Sequence, residues 1–495
     1  MKPAFAHRAY MLDVSRDRVP TDETLEWLVG VLAATGFNEL QLYVEHTFAY
    51  RGHETVWRDA SPITHDELRR LDDVCADAGL TLVANMNGFG HMGRWLTHDE
   101  YRDRAECPDG FPAIFGDGTS EPTCLAPTPD NAAFAVELAR DMLSAVRSRR
   151  VHIGGDEPFE LGDGASADLV ARQGRDHVYL EHLNRIVGPL IDDGLEVMFW
   201  ADLFRRDASL IPELPAGAVP VVWNYEQPAE SSWLGFLPAD FIARLGLPDD
   251  ANLGFVAHAR LFIEAGVPFW VAPGTATWNT IIGRNRNAAA NIADAVAVGT
   301  AHASPGLLLT DWGDGGHWQP LPVSLPSIVR CGAAASTGEM PDDEIVWSTI
   351  DTLLGCDPGV GELIDRLGGI AESVGVASPN SSPLATAIGG GPFPVLGEPD
   401  PAGFEAADRL LAEATERFGA GSVGGARGEI VAAEMAAACR LAHHGLRRLA
   451  EDNGIGLERA AALGAPADAV AAQRAAWLRS SRPGGLDDSI AKLAL

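Results

Sequence analysis

Between residues 8 and 336 the chain repeats one rhythm: a short apolar run, a loop, then an amphipathic stretch of about 12–18 residues. The apolar runs are RAYMLDV (8–14), ELQLYV (39–44), LTLVAN (80–85), VHIGG (151–155), EVMFW (196–200), VPVVW (219–223), PFWVAP (268–273) and GLLLT (306–310). They are continuous rather than alternating, the pattern of parallel strands buried on both faces. Between them the spacing predicts helices over 21–35, 64–78, 130–147, 175–192, 252–265, 286–302 and 322–336, with the fifth, near 207–214, poorly defined. Thr21 ahead of Glu23 and Thr24, and Thr64 with Glu67 three residues on, supply helix-start chemistry. Eight strand–helix units predict an α/β fold, a (β/α)8 TIM barrel. A doubly wound open sheet would usually carry a Gly-rich phosphate loop after its first strand, and MLDVSRDRVP contains no glycine.

After about residue 355 the pattern changes. Residues 378–402 are rich in Pro, Gly and Ser, and from Phe404 onward Ala, Leu, Glu and Arg recur at helical spacing. The chain therefore divides into a (β/α)8 barrel over 1–354, a Pro/Gly-rich linker or wrap over 355–402, and an α-helical C-terminal region over 403–495. Three helices are expected there, packed together or against the barrel, shielding it or building a homodimer interface.

Composition narrows the range of partners. Of 495 residues, 46% are hydrophobic, enough for a sizeable core, and 37 Lys+Arg against 69 Asp+Glu give a formal charge of −32. Such a surface repels phosphate backbones and anionic lipids, so the expectation is no nucleic acid and no membrane. The six cysteines are scattered without a CxxC pair, which argues against a zinc site or a disulfide framework. The N-terminus lacks the apolar core of a signal peptide, no run is long enough to span a membrane, and the expected location is cytoplasmic.

In a barrel of this kind chemistry sits at the C-terminal ends of the strands. VHIGGDEP (151–158) is the most informative end: two glycines free the backbone from strand geometry and two acids follow at once. In a regular strand Asp156 and Glu157 would face opposite ways, so the strand must break there for both to serve one substrate. Two neighbouring carboxyl groups resist ionising together, and the proton thereby retained suits a general acid.

HIGGDE resembles the H-x-G-G-D-E signature of glycoside hydrolase family 20, the β-N-acetylhexosaminidases. The similarity runs along the barrel: RAYMLDVSR (8–16) resembles the family's R-x-x-M-L-D-x-x-R first strand, GFGHMGRWL (88–96) its Gly-His element after strand three, and LTDWGDGGHWQ (309–319) its Trp-containing end of strand eight. Family members usually carry an α/β domain before the barrel. Here the first strand begins at residue 8, which reads as that domain missing.

The resemblance implies an exo-acting retaining hydrolase that releases terminal β-linked N-acetylhexosamine, GlcNAc and/or GalNAc, from a glycan or amino-sugar oligosaccharide. Its nucleophile would be the substrate's own 2-acetamido oxygen, through an oxazolinium intermediate. Glu157 would be the general acid/base and Asp156 would orient the acetamido group. Glu45, His91 and His152 would support the pair. Arg8 would grip the 3- and 4-hydroxyls, and Asp314 the 4- and 6-hydroxyls, where the family more often has Glu. Trp200, Trp223, Trp278 and Trp312 would wall the sugar and its methyl group, with Tyr225 offering a hydroxyl to the acetamido oxygen. The alternatives are a barrel glycosidase of another specificity, galactosaminidase or disaccharide-releasing, and a non-catalytic sugar-binding relative. The DxxDxDxE run of the other acetamido-using family is absent, and His91 and His152 are too few for a metal-dependent barrel hydrolase. Neither metal nor cofactor is expected.

Overall fold

A computed structural model describes residues 2–495 apart from 17, 114–117, 206, 230–233, 238 and 390–393. All eight apolar runs are strands: β1 (His7–Asp13), β2 (Glu39–Val44), β3 (Thr81–Met86), β4 (Arg150–His152), β5 (Glu196–Trp200), β6 (Ala218–Trp223), β7 (Trp270–Ala272) and β8 (Gly306–Asp311). Each pairs in parallel with its neighbours, and β8 pairs with β1 from His7↔Gly306 to Leu12↔Asp311, closing a barrel. The unbroken apolar runs follow from burial on both faces. Ala9 and Met11 of β1 point into the barrel beside Trp200 and Leu308, while Tyr10 and Leu12 join the core under the helices.

Helices cover the strands where the spacing places them: Asp22–Thr35, His65–Asp77, Pro129–Leu143, Arg175–Asp192, Asn285–Ala301 and Leu325–Thr337. The Thr21 hydroxyl accepts from the Thr24 N–H, and Thr64 with Glu67 forms both halves of a capping box. The fifth position holds only a 3₁₀ turn, Ala208–Glu213. The helix expected over 252–265 is instead three short pieces, Ala251–Leu253, Phe255–His258 and Arg260–Ala265. Gly254 makes the first break: its φ is +76°, and a Cβ there would fall 2.2 Å from the Asp294 carboxylate that caps the Phe255 N–H.

Beyond the barrel, residues 355–402 contain a helix, Val360–Gly368, and the stretch around 379–382 turns back onto the loop after β7. The helices Pro401–Gly419, Gly428–Asp452, Pro466–Ser480 and Leu486–Ala491 follow. They pack on one another and on the loops after β1 and β8. Arg18 reaches Glu434 at 3.1 Å, Gln473 donates to the Trp318 carbonyl, and the Trp318 indole donates to the Ser489 carbonyl. Among the described residues no helix is long and apolar enough to cross a membrane.

Candidate active site

Strand β4 stops at His152, and the backbone then turns through Gly154 at φ +70° and Gly155 at φ +90°. Only glycine fits the first position, because a Cβ would lie 2.6 Å from the Asn87 side chain. Glu157 itself is left-handed, with φ +49°, a conformation that costs on the order of 1–2 kcal/mol for a residue with a Cβ. Its N–H donates to Asp202 Oδ2 at 3.3 Å and the Tyr179 hydroxyl donates to the Gly155 carbonyl, so the strained turn is tied down on both sides. The break brings Asp156 and Glu157 to the wall of one pocket at the C-terminal end of the barrel.

The two acids sit in different surroundings. Asp156 is buried, its Oδ1 accepting from Asn87 Nδ2 at 2.7 Å and its Oδ2 lying 3.2 Å from His91 Nε2. Burial opposes the charge of this carboxylate, but His91 and Asn87 outweigh it and hold its pKa below the usual range. Glu157 is more open, its side chain 26% exposed, with Oε2 3.4 Å from the same His91 nitrogen.

His91 reaches this position because Gly90, before it, lies so close to the Asp156 carbonyl that a Cβ would fall 2.3 Å away, and because His91 takes φ +51°. Its Nδ1 lies 3.0 Å from an Arg16 Nη. A guanidinium has no acceptor, so in the neutral ring Nδ1 carries the lone pair and Nε2–H faces the carboxylates. Burial works against a second proton. The Asp156 and Glu157 carboxylates nevertheless raise the His91 pKa well above its ordinary value.

Arg16 joins the remaining charges. Asp13, the last residue of β1, accepts from the Ser15 and Arg16 N–H groups and so shapes the turn that presents Arg16. The guanidinium contacts Asp13 Oδ2 at 3.1 Å, Glu45 Oε1 at 3.4 Å and Asp314 Oδ1 at 3.3 Å, and lies 5.3 Å from the ring centres of both Tyr43 and Trp312. Arg16 and Asp314 line the pocket, and Asp314 is 35% exposed there. Glu45 meets the acid pair through Arg16 and His91, and through the Tyr43 hydroxyl, which donates to its Oε1 and accepts from Asn87 Nδ2.

Arg8 is a correction. It is the second residue of β1, at the far end of the barrel, where its guanidinium donates to the Gly36 and Phe5 carbonyls. The arginine at the pocket is Arg16, the other arginine of the same first-strand motif. Trp200 is a second correction. It is buried inside the barrel, packed on His152 and Trp312 with ring centres 4.3 and 5.9 Å apart, and is not part of the pocket wall. His152 is likewise buried, its ring packed on Trp200. Burial pushes its pKa down to about 3, and its Nδ1 accepts the Gly154 N–H, so it fixes the strand break from below.

The aromatic wall consists of Trp223, Tyr225, Trp278 and Trp312. Tyr225 stacks on Trp223 at 5.2 Å, meets Trp278 edge-on at 5.0 Å, and its hydroxyl accepts from the Trp312 indole at 2.9 Å. Three residues that sequence reasoning passed over complete the site. Asn87 orients Asp156; its signal was an Asn directly after β3. Glu226, clamped by both Arg284 nitrogens at 2.9 and 2.7 Å, accepts the Asn380 N–H. Asn380, from the Pro/Gly/Ser-rich stretch, accepts the Trp278 indole N–H at 2.8 Å and lines the pocket. No local signal marks it. Among the described residues no three His, Cys, Asp or Glu side chains are grouped to hold a metal ion.

Residues 5–233 match the family model described as glycosyl hydrolase family 20, catalytic domain. The human protein named Hexosaminidase D is 21% identical over 370 residues, 71% of this chain and 69% of its own length. The protein of that name from Bos taurus is 22% identical over 351 residues, 67% of this chain and 92% of its own. Among solved structures, the chitobiase of Flavobacterium johnsoniae aligns with 99% of this chain and 78% of its own at a TM-score of 0.54 and 12% identity. The β-N-acetylhexosaminidase of Bacteroides fragilis aligns with 71% and 70% at a TM-score of 0.52 and 14% identity. At such identities these likenesses establish the shared barrel fold. The matched segment, 5–233, holds β1 to β6 and both acids, and is similar to the catalytic domain of glycosyl hydrolase family 20.

Proposed function

We propose that the protein is an exo-acting, retaining β-N-acetylhexosaminidase that uses the substrate's acetamido group as its nucleophile. The observation that carries this reading is the placement of Asp156 and Glu157, from one broken strand end, on one pocket with different partners: Asp156 held ionised by His91 and Asn87, Glu157 more open. In the first step the acetamido oxygen attacks C1, Glu157 gives its proton to the leaving oxygen, and the C1–O bond breaks. The positive charge on the resulting oxazolinium ring lies at its N–H, against the Asp156 carboxylate. In the second step Glu157, now a carboxylate, takes a proton from water, whose oxygen attacks C1 and reopens the ring with the original configuration. The other acids described at the pocket are engaged: Asp13, Glu45 and Asp314 lie on Arg16, and Glu226 on Arg284. A protein nucleophile would need a second, unengaged carboxyl across C1.

The Tyr225 hydroxyl is the donor for the acetamido oxygen, and Trp278 and Trp312 enclose its methyl group. Arg16 and Asp314 bind ring hydroxyls. Asp314 is one methylene shorter than Glu, and this looser reach supports acceptance of both the gluco and galacto configurations. Hydrolysis of paired chromogenic β-GlcNAc and β-GalNAc substrates tests the assignment. Both should be cleaved, with kcat/KM differing by less than about 10³-fold, which is ~4 kcal/mol of discrimination. Cleavage of neither would refute the function, and a larger ratio would refute the loose contact at Asp314.

A further inference from the structure

One side of the pocket is not built for hydroxyls. Leu237, Phe241, Leu245 and Leu247, from the segment between β6 and β7, line it together with Trp223. They form their own buried apolar cluster, against which Phe159 packs. Phe159 follows Glu157 by two residues, and its ring lies 5.7 Å from that of Phe241. The same segment is fastened to the loop carrying the acid. Arg244 donates to the Phe159 carbonyl and reaches Asp163 at 2.6 Å, while Arg175 donates to the Pro158 and Arg244 carbonyls. The apolar wall is therefore fastened to the loop that carries the proton donor.

A general acid stands beside the leaving oxygen, so what lies next to it receives the leaving group. A second sugar presents hydroxyls that need partners, and leucine side chains supply none. An alkyl or aryl chain loses nothing there and gains by leaving water. We infer that this wall is a leaving-group subsite for an apolar aglycone, so that the preferred substrates are N-acetylhexosaminides of lipid-like or aryl alcohols rather than of a second sugar. The inference rests on the assignment of Glu157 as the proton donor to a β-N-acetylhexosaminide.

The test compares methyl, butyl and octyl β-N-acetylglucosaminides, whose leaving alcohols differ little in acidity, with N,N′-diacetylchitobiose. Turnover is read together with binding by tryptophan fluorescence. The octyl glycoside should exceed the methyl glycoside by about tenfold or more in kcat/KM, since burial of even two methylenes carries that factor, and it should exceed the disaccharide. Leu245→Asn and Leu247→Asn should each shrink the octyl-to-methyl ratio to below about threefold, a ratio that cancels any loss of folded protein. A flat chain-length series in the unaltered enzyme would overturn the subsite, whether or not the variants fold. So would a preference for the disaccharide. Absent turnover with a chain-length gain in binding would sink the hexosaminidase reading and leave the subsite standing. Turnover without the gain would do the reverse.

Discussion

At the N-terminal end of the barrel Arg150 lies over Trp270 and holds Glu39 at 2.6 Å and Glu196 at 2.7 Å, with His7 stacked on the same Trp. At the C-terminal end Arg16 lies over Trp312 and holds three carboxylates at 3.1–3.4 Å, with His91 beside it. The residue types are nearly the same. At Arg150 two acids meet one cation in short contacts, and the cluster is satisfied. At Arg16 the acids Asp13, Glu45 and Asp314 are joined through His91 by Asp156 and Glu157, so five carboxyl groups share two bases. The surplus cannot be neutralised by pairing, the contacts are longer, and two residues, His91 and Glu157, stand in left-handed backbone. One end is a structural rivet, whereas in the proposed reading the other holds its surplus charge for a substrate.

The largest effect should come from the proton itself. Glu157→Gln keeps the shape and removes the donor, and kcat for alkyl and sugar leaving groups should fall by roughly 10²–10⁴-fold, with a smaller loss for nitrophenyl substrates. Equal losses for both kinds of leaving group would give Glu157 another role. The arginines separate the two ends next. Arg16→Met strands its buried acids beside the substrate, and kcat/KM should drop by about 10²-fold or more. Arg150→Met should cost about 3–5 kcal/mol in urea unfolding, while the folded enzyme keeps its kcat/KM within about threefold. If Arg150→Met damaged catalysis as much as Arg16→Met, the distinction between the ends would fail.

Asn380→Gly removes the acceptor of the Trp278 indole and keeps the left-handed turn, where Asn380 has φ +52°. One lost neutral hydrogen bond corresponds to about two- to tenfold in kcat/KM. The mildest probe is titration of the two histidines in ¹³C-labelled protein, assigned with His7→Gln and His91→Gln. Burial and then Arg150 lower the pKa of His7, whereas at His91 the acids overcome burial and raise it. His7 should therefore lose its proton below pH 6.5 and His91 well above it. The same order reversed would contradict the charge surplus.

The barrel was legible because burial on both strand faces writes a plain signal, eight apolar runs at even spacing. The acid pair was legible because the strand break needs the two glycines before it. Arg8 shows where motif reading went astray. The first-strand motif carries an arginine at each end: from Arg8 the strand rises about 3.3 Å per residue over five steps, roughly 17 Å, to Asp13, and the turn there presents Arg16 at the mouth of the barrel. Trp200, a strand's last residue, gave no hint that it faces into the barrel beneath the pocket. Asn380 was beyond reach for another reason. Its partners Trp278 and Glu226 lie more than 100 residues away, and a stretch of Pro, Gly and Ser carries no periodicity that points to either. Composition marked that stretch as irregular without marking it as part of the wall.

In the proposed mechanism the sugar supplies its own nucleophile to a site whose other acids are engaged, Asp13, Glu45 and Asp314 with Arg16 and Glu226 with Arg284. The most direct measurement is kcat/KM for aryl β-N-acetylglucosaminides bearing zero to three fluorines on the acetyl methyl, set beside the matching 2-hydroxy glucoside. Each fluorine withdraws electrons from the attacking oxygen, so the rate should fall steeply along the series, and the plain glucoside should be nearly inert. Turnover of the glucoside at a comparable rate, or a rate insensitive to fluorination, would contradict the account even with Glu157 essential.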